Sequence, residues 1–372
     1  MLSDLTITRA PRSRIGEVDF DNLRFGYVFS DHLFAMDYAD GRWQRPRIEP
    51  YGPIALEPGA AMMHYGQTVF DGFKAYRGPD GTVRVFRPDA NARRLQASCR
   101  RLCMPEVDPE LFCAAVRELV ALDHAWLPPK AGQSLYVRPL LIGTEVHLDV
   151  RPDKTFRFMI MTAPVGAYFD PNSRGVALKA EAEYTRAAAV GGLGYAKTAA
   201  NYAASMYATT QARAEGFDQV LWLDSNEHRY VEEVGAMNIF FKLGDTVVTP
   251  PLGGSILPGV TRDSLITLIR ERGLPVEERR IAIDEVMQAL RDGSMEEIFG
   301  AGTAAVVAPV ARLHHKGESL ELKTSPGPLT RALYDQLTGI QTGRLPDLHG
   351  WCMVVPLPEA EARAKPLAAA AR

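Results

Sequence analysis

Gly300-Ala-Gly-Thr-Ala-Ala-Val-Val-Ala-Pro-Val310 decides which kind of mixed α and β fold this chain can adopt. Its glycines match the G-x-G-x-x-A spacing of a dinucleotide-binding turn, and Glu318 lies near the distance at which a ribose-binding acid is sought. That fold requires a helix directly after the glycines. Val306, Val307, Ala308 and Pro309 follow instead, and β-branched residues closing on a proline make a poor first helical turn. A nicotinamide site is therefore set aside, leaving a tight Gly-Thr turn whose backbone N–H groups can face some other anion.

Upstream of this turn, residues 261–272 read as a helix with Thr261 as N-cap and Gly273 as its stop. Residues 238–242 and 246–249 flank Leu243-Gly244-Asp245 as a hairpin, and 201–215 form a helix closed by Gly216 before a short strand at 220–224. Downstream, Leu329, Leu333, Leu337 and Ile340 mark a last helix. The first half carries an aromatic alternation over 25–38, a strand-like 62–70 and two buried-strand candidates at 134–142 and 155–162. Ala92, Leu95, Cys99 and Leu102 place a helix over 87–104, and a second starts at N-cap Asp108 with Pro109 and Glu110 in its first turn. Helices and strands mixed in both halves exclude all-α and all-β folds. The expected organisation is a small α/β domain at 1–165, a Gly-, Pro- and Asn-rich linker at 166–175, a large domain at 176–355 and a mobile tail at 356–372.

The 372 residues are 46% hydrophobic and 23% charged, an ordinary globular composition long enough for two domains. Forty-two Lys and Arg against 45 Asp and Glu leave a charge of −3, so no positive field concentrates nucleic acid or anionic lipid. No apolar run is long enough to span a bilayer, and Met1-Leu2-Ser3-Asp4 does not open a secretory leader, so a cytoplasmic location is expected. Cysteines 99, 103, 113 and 352 are too few to staple the chain and lack metal-ligand spacing. His314-His315 is no better as a metal site, because adjacent side chains diverge.

Gly191-Gly-Leu-Gly-Tyr-Ala-Lys197-Thr198 fails the phosphate-loop spacing, since Lys197 does not follow a glycine. On local grounds Lys197 is either a solvated loop lysine or, given its small neighbours, an amine desolvated beside a planar ligand. Gly259-Val260-Thr261-Arg262-Asp263 is likewise either a plain capped helix start or a phosphate seat.

Six blocks in order carry more information than these motifs singly: 64–78 (His-Tyr-Gly-Gln-Thr-Val-Phe-Asp-Gly-Phe-Lys-Ala-Tyr-Arg-Gly), Tyr136-Val-Arg-Pro139, Lys197 with Asn201-Tyr202, Glu233-Val-Gly-Ala-Met-Asn-Ile-Phe240, Leu257-Pro-Gly-Val-Thr-Arg262 and Phe299-Gly-Ala-Gly-Thr-Ala304. From about Gly16 to Val355 the chain resembles the branched-chain amino acid aminotransferases, fold type IV pyridoxal-phosphate enzymes. The resemblance implies a two-domain fold similar to D-amino acid aminotransferase, an active site between the domains and a homodimer. It implies pyridoxal 5′-phosphate as cofactor, with Lys197 as the catalytic Schiff-base lysine, Glu233 facing the pyridine nitrogen and Tyr202 on the ring hydroxyl. Arg94, Thr303 and the N–H groups of Val260 and Thr261 would hold the phosphate.

Tyr65, Phe70, Tyr136, Arg138 and Ala304 map around the substrate, Met237 is of the apolar type that a branched side chain's pocket needs, and Val150 maps to a loop reaching the partner subunit. The implied reaction moves an amino group between leucine, isoleucine or valine and 2-oxoglutarate, with glutamate the usual donor. Adjacent Glu232 and Glu233 face opposite sides of an extended segment, and the register with Val234-Gly235-Ala236 favours Glu233 for the ring. Two departures stand out: Ala305 and Ala308 occupy the positions of a Cys-x-x-Cys switch found in some members, and Ala236 replaces a family threonine. A D-amino acid aminotransferase, an aminodeoxychorismate lyase and a noncatalytic scaffold are the rival readings.

Overall fold

His32–Ala39, Phe156–Val165 and Ser134–Gly143 are mostly buried along their lengths, and in the computed structural model they form the centre of one sheet. The structure describes residues 2, 4–167, 173–188 and 191–357, so half of the expected linker and most of the expected tail lie outside the described residues. The chain divides into two units, residues 1–168 with 339–372, and residues 169–338.

In the first unit the strand order is Thr6–Ile7, Arg42–Pro50, His32–Ala39, Phe156–Val165, Ser134–Gly143, Phe73–Arg77, Val83–Phe86 and Cys352–Val355, with Thr68–Phe70 also on Ser134–Gly143. Pairing is antiparallel except where Thr6–Ile7 meets Arg42–Pro50. Helices Pro88–Arg101 and Pro109–Leu122 lay Leu95, Cys99, Phe112, Val116 and Leu119 into a core shared with Phe34 and Phe158. Each large apolar side chain so buried contributes about 1.5–3 kcal/mol. Asp108 caps the second helix as expected, accepting from the N–H groups of Glu110 and Leu111 at 3.0 Å.

Two expectations need correction here. Residues 62–70 do not form one strand: Ala61–Tyr65 is a short helix ended by left-handed Gly66, and only Thr68–Phe70 is extended. The segment from Gly339 belongs with the first unit rather than with a 176–355 domain. Cys352–Val355 completes the edge of the first sheet by pairing with Val83–Phe86, and Trp351 packs edge-on against Phe86 at 5.8 Å.

In the second unit the order is Val231–Val234, Gln219–Leu223, Val176–Ala180, Val306–His315, Met295–Gly302, Asn238–Leu243, Thr246–Thr249 and Val276–Glu278, with Glu318–Glu321 paired to Val306–His315. Val176–Ala180 is parallel to both neighbours, so the sheet is mixed. Met295–Gly302 and Val306–His315 form a hairpin with Gly302 opposite Val306, which is why no dinucleotide-type helix follows the glycines. The expected hairpin around Gly244 is present, with that glycine at φ 55. Helix Val260–Glu271 is capped by Gly259, not Thr261, which is its second residue. A Cβ at 259 would stand 2.0 Å from Asn238 Oδ1, so only glycine fits where the chain enters this helix.

All four cysteines are free. Burial pushes the Cys99 and Cys352 thiols up to about 12 and Cys113 up to about 11, leaving Cys103 as the exposed one. No helix is long and apolar enough to cross a membrane among the described residues.

Candidate active site

The glycine-rich stretch before Lys197 is shaped by close backbone approach. A Cβ on Gly194 would lie 2.0 Å from the Ser255 carbonyl oxygen, so the two loops meet only because position 194 is glycine. Asn201, in the first turn of helix Ala199–Ala214, donates through Nδ2 to the carbonyls of Leu193 and Ala196 at 2.8 and 2.9 Å and folds the loop back onto the helix. Lys197 is thereby presented at the helix start, and its Nζ donates to Tyr202 Oη at 2.7 Å.

Strand Val231–Val234 is buried at every position and carries two acids to different surroundings. Glu233, only 3% exposed, meets Arg186 Nη2 at 2.5 Å and accepts from Asn238 Nδ2 and the Leu257 N–H, both at 3.1 Å. Burial lifts its carboxyl above the usual range, while the charges of Arg186 and Lys197 and the Leu257 N–H pull it back. Glu232 instead accepts from Ser255 Oγ at 2.5 Å and lines a cavity of about 300 Å³ with Asp224, Tyr230 and Arg280. Of the two acids, Glu233 is the one bonded to Arg186, Asn238 and the Leu257 N–H.

Val260 and Thr261 open their helix without a side-chain cap, so first-turn N–H groups that lack intrahelical acceptors face outward from the helix start. Thr303 and Ala304 sit in the turn between Met295–Gly302 and Val306–His315. That turn ends on Val306 at φ 63, a left-handed conformation unusual for a β-branched residue and of the strained kind that clusters at functional turns. Met237 packs in the second unit's core, where its side chain lies against Gly300 and Gly302.

The first unit assembles the remaining residues. Arg94 is nearly buried, and its Nε and Nη2 bond the two oxygens of fully buried Asp71 at 3.0 and 2.6 Å, with Asn91 Oδ1 at 3.0 Å. Arg138 Nη2 donates to Tyr136 Oη at 3.0 Å and its guanidinium lies 4.8 Å from the Phe70 ring. A Cβ on Gly72 would fall 1.8 Å from Tyr136 Oη, so the glycine is what admits that phenol. Phe25 holds the other side of Tyr136 edge-on at 4.9 Å. Tyr65 Oη donates to the Leu148 carbonyl at 2.6 Å, which ties it to the loop bearing Val150. Val150 is 87% exposed.

Glu145, His147 and Asp153 converge in the same loop. Arg151 holds both Glu145 oxygens at 2.8 and 3.0 Å, so the cluster acts as a tie for the loop. Sequence reasoning missed Arg186, Asp71, Asn238 and Ser255 as partners of the site residues. Asp71 and Asn238 lie inside the quoted blocks, whereas Arg186 sits in an aperiodic stretch and gives no local signal.

Residues 68–313 match the family model for class IV aminotransferases. Branched-chain-amino-acid aminotransferase 2 of Bacillus subtilis is 48% identical over 350 residues, 94% of this chain and 95% of the relative. The chain belongs to the branched-chain-amino-acid aminotransferases. It has the fold type IV architecture: the Escherichia coli branched-chain amino acid aminotransferase superposes with a TM-score of 0.74 at 25% identity, covering 88% of this chain and 99% of that one. The Thermobaculum terrenum branched-chain amino acid aminotransferase, solved in its pyridoxal-phosphate holo-form, gives 0.71 at 25% identity over 88% of this chain and 99% of that one.

Proposed function

We propose that this branched-chain-amino-acid aminotransferase exchanges the amino group of L-leucine, L-isoleucine or L-valine with 2-oxoglutarate, using pyridoxal 5′-phosphate held at Lys197. The observation that carries the assignment is Lys197 Nζ bonded to Tyr202 Oη at 2.7 Å, in the same unit as the buried Glu233. The second unit's donor set fits the cofactor: one amine, one phenol, one buried acid and uncapped N–H groups at a helix start. When bound, the cofactor supplies an electron sink for the pair left when the substrate Cα loses its proton.

The chain's own residues do the rest. Glu233 keeps a proton on the ring nitrogen, and Tyr202 bonds the ring hydroxyl. The phosphate would be taken by the N–H groups of Val260 and Thr261 and by Thr303. Lys197 Nζ would take the proton from the substrate Cα and release it at the cofactor carbon that receives the amino group, so one amine would serve both transfers. Phe70 and Tyr65 would face the branched side chain, and Met237 lies against Gly300 and Gly302.

Tyr136 and Arg138 suit the distal carboxylate of glutamate or 2-oxoglutarate. Arg138→Met is therefore expected to raise the KM for 2-oxoglutarate by about 10- to 100-fold, the worth of a charged hydrogen bond, while KM for leucine changes about threefold or less. Steady-state kinetics with each substrate varied in turn checks this.

A homodimer is part of the same reading. Val146, Leu148 and Val150 are exposed on one tied loop, an arrangement suited to contact with a second copy. Four free thiols suit a reducing, cytoplasmic setting. The direct test is turnover of L-leucine, D-alanine and aminodeoxychorismate by the purified protein. Transamination of leucine with 2-oxoglutarate is the expected result, and preference for either of the other two would overturn the substrate assignment.

A further inference from the structure

Arg186 lies at the meeting point of three segments. One Nη2 atom contacts Glu233 Oε2 at 2.5 Å, donates to the Ser255 carbonyl at 2.5 Å and approaches the Gly194 carbonyl at 3.4 Å. It therefore links the strand bearing the buried acid, the loop leading into helix Val260–Glu271 and the glycine stretch leading to Lys197. Its side chain is 9% exposed and Glu233's is 4%, so water screens little of the attraction between them. The other charged groups acting on Glu233 are Lys197 and the like-charged Glu232.

We propose that Arg186 is a positioning residue that holds Glu233 as a carboxylate, and thereby places the shared proton on the cofactor ring nitrogen rather than on the acid. The inference rests on the cofactor assignment above. A buried acid beside a pyridine nitrogen can share one proton in two ways: neutral acid with neutral ring, or carboxylate with cationic ring. In a desolvated site the neutral arrangement is favoured, because it buries no charge. A fixed guanidinium beside the carboxylate reverses that preference, since it attracts the anion far more strongly than the neutral acid. Proton count and cofactor are the same in both arrangements; only the proton's position changes. The cationic ring is the better electron sink, so the effect of Arg186 falls on the chemical step and not on leucine binding.

The test is nitrogen NMR of holoenzyme loaded with cofactor labelled with ¹⁵N at the ring nitrogen, for wild type, Arg186→Gln and Arg186→Lys. Gln keeps a donor for the Ser255 carbonyl but removes the charge; Lys restores the charge. The expected result is a protonated ring nitrogen in wild type that stays protonated up to about pH 9, and an unprotonated one in Arg186→Gln. Recovery toward the wild-type signal in Arg186→Lys is expected too. Arg186→Gln should also lose about 10²-fold in kcat with KM for leucine changed less than about threefold.

A protonated nitrogen in Arg186→Gln, with only a lowered melting temperature, would reduce Arg186 to a structural tie and overturn the proposal. If neither variant folds, the wild-type titration decides alone: loss of the ring proton near neutral pH overturns it. Failure of the cofactor assignment itself looks different, since wild-type protein would then carry no labelled cofactor to observe.

Discussion

Lys197→Ala is expected to reduce kcat for leucine and 2-oxoglutarate exchange by at least about 10⁴-fold, because one substitution removes both the general base and the group that anchors the cofactor. Folding should survive it. Lys197 makes its hydrogen bond to Tyr202 from the start of a helix whose loop is held by Asn201, and that restraint does not involve the lysine side chain. The check is stopped-flow or steady-state turnover together with a melting curve of the cofactor-free protein. A variant that melts near wild type and still transaminates leucine within about tenfold would contradict the role given to Lys197.

Glu233→Gln should be the second most damaging change. The amide is nearly isosteric but carries no charge, so it cannot hold a proton on the ring nitrogen, and a loss of about 10²- to 10³-fold in kcat is expected. Unlike Lys197→Ala it should also destabilise the chain. Arg186 would be left as a buried cation without its carboxylate, a change that costs about 3–5 kcal/mol. Glu232→Gln is the matched control. Its carboxylate bonds Ser255 Oγ and faces Asp224, Tyr230 and Arg280 rather than Arg186 and Asn238, so turnover should stay within about threefold of wild type. Equal loss in both variants would mean that the two neighbours do not divide their work by face.

The sign of the Glu233 shift sets a pH dependence for the cofactor-free chain. Burial holds its folded carboxyl above the ordinary value, so the folded state binds the proton more readily than the unfolded one. This group's contribution is greatest at acid pH and diminishes as pH rises through the ordinary carboxylate range toward the raised folded value. Arg186 limits that loss by pulling the value down.

Much of the fold was legible because it is written in local chemistry. β-Branched residues and Pro309 after Gly302 ruled out a helix, and the structure has a hairpin there. Asp108-Pro109-Glu110 announced a helix start that the structure caps as expected. Errors came where a distant partner decides. Residues 62–70 look extended, yet Gly66 in a left-handed conformation closes a helical turn at 61–65. Thr261 looks like the better cap, but Asn238 leaves room only for glycine one residue before the helix. Cys352–Val355 joins a strand more than 260 residues earlier in the chain, a pairing that no periodicity announces.

The candidate site follows the same division. Lys197 and Val260 were ambiguous alone and acquired roles only from six blocks in fixed order. Met237 was placed by residue type, and its packing against Gly300 and Gly302 is set by tertiary contact that residue type does not announce. Arg186 left no trace in the sequence, because its importance comes from meeting Glu233, Ser255 and Gly194 in space.

One competitor gives the central claim a sharp test. Lys74, in strand Phe73–Arg77, is a buried amine, and desolvation brings it down to about 8, close to the range of a reactive lysine. Borohydride reduction of the cofactor-loaded enzyme, followed by peptide mapping, reports which amine carries the cofactor. A single phosphopyridoxyl group on Lys197 is the expected outcome; an adduct on Lys74, or on no lysine, would contradict the account.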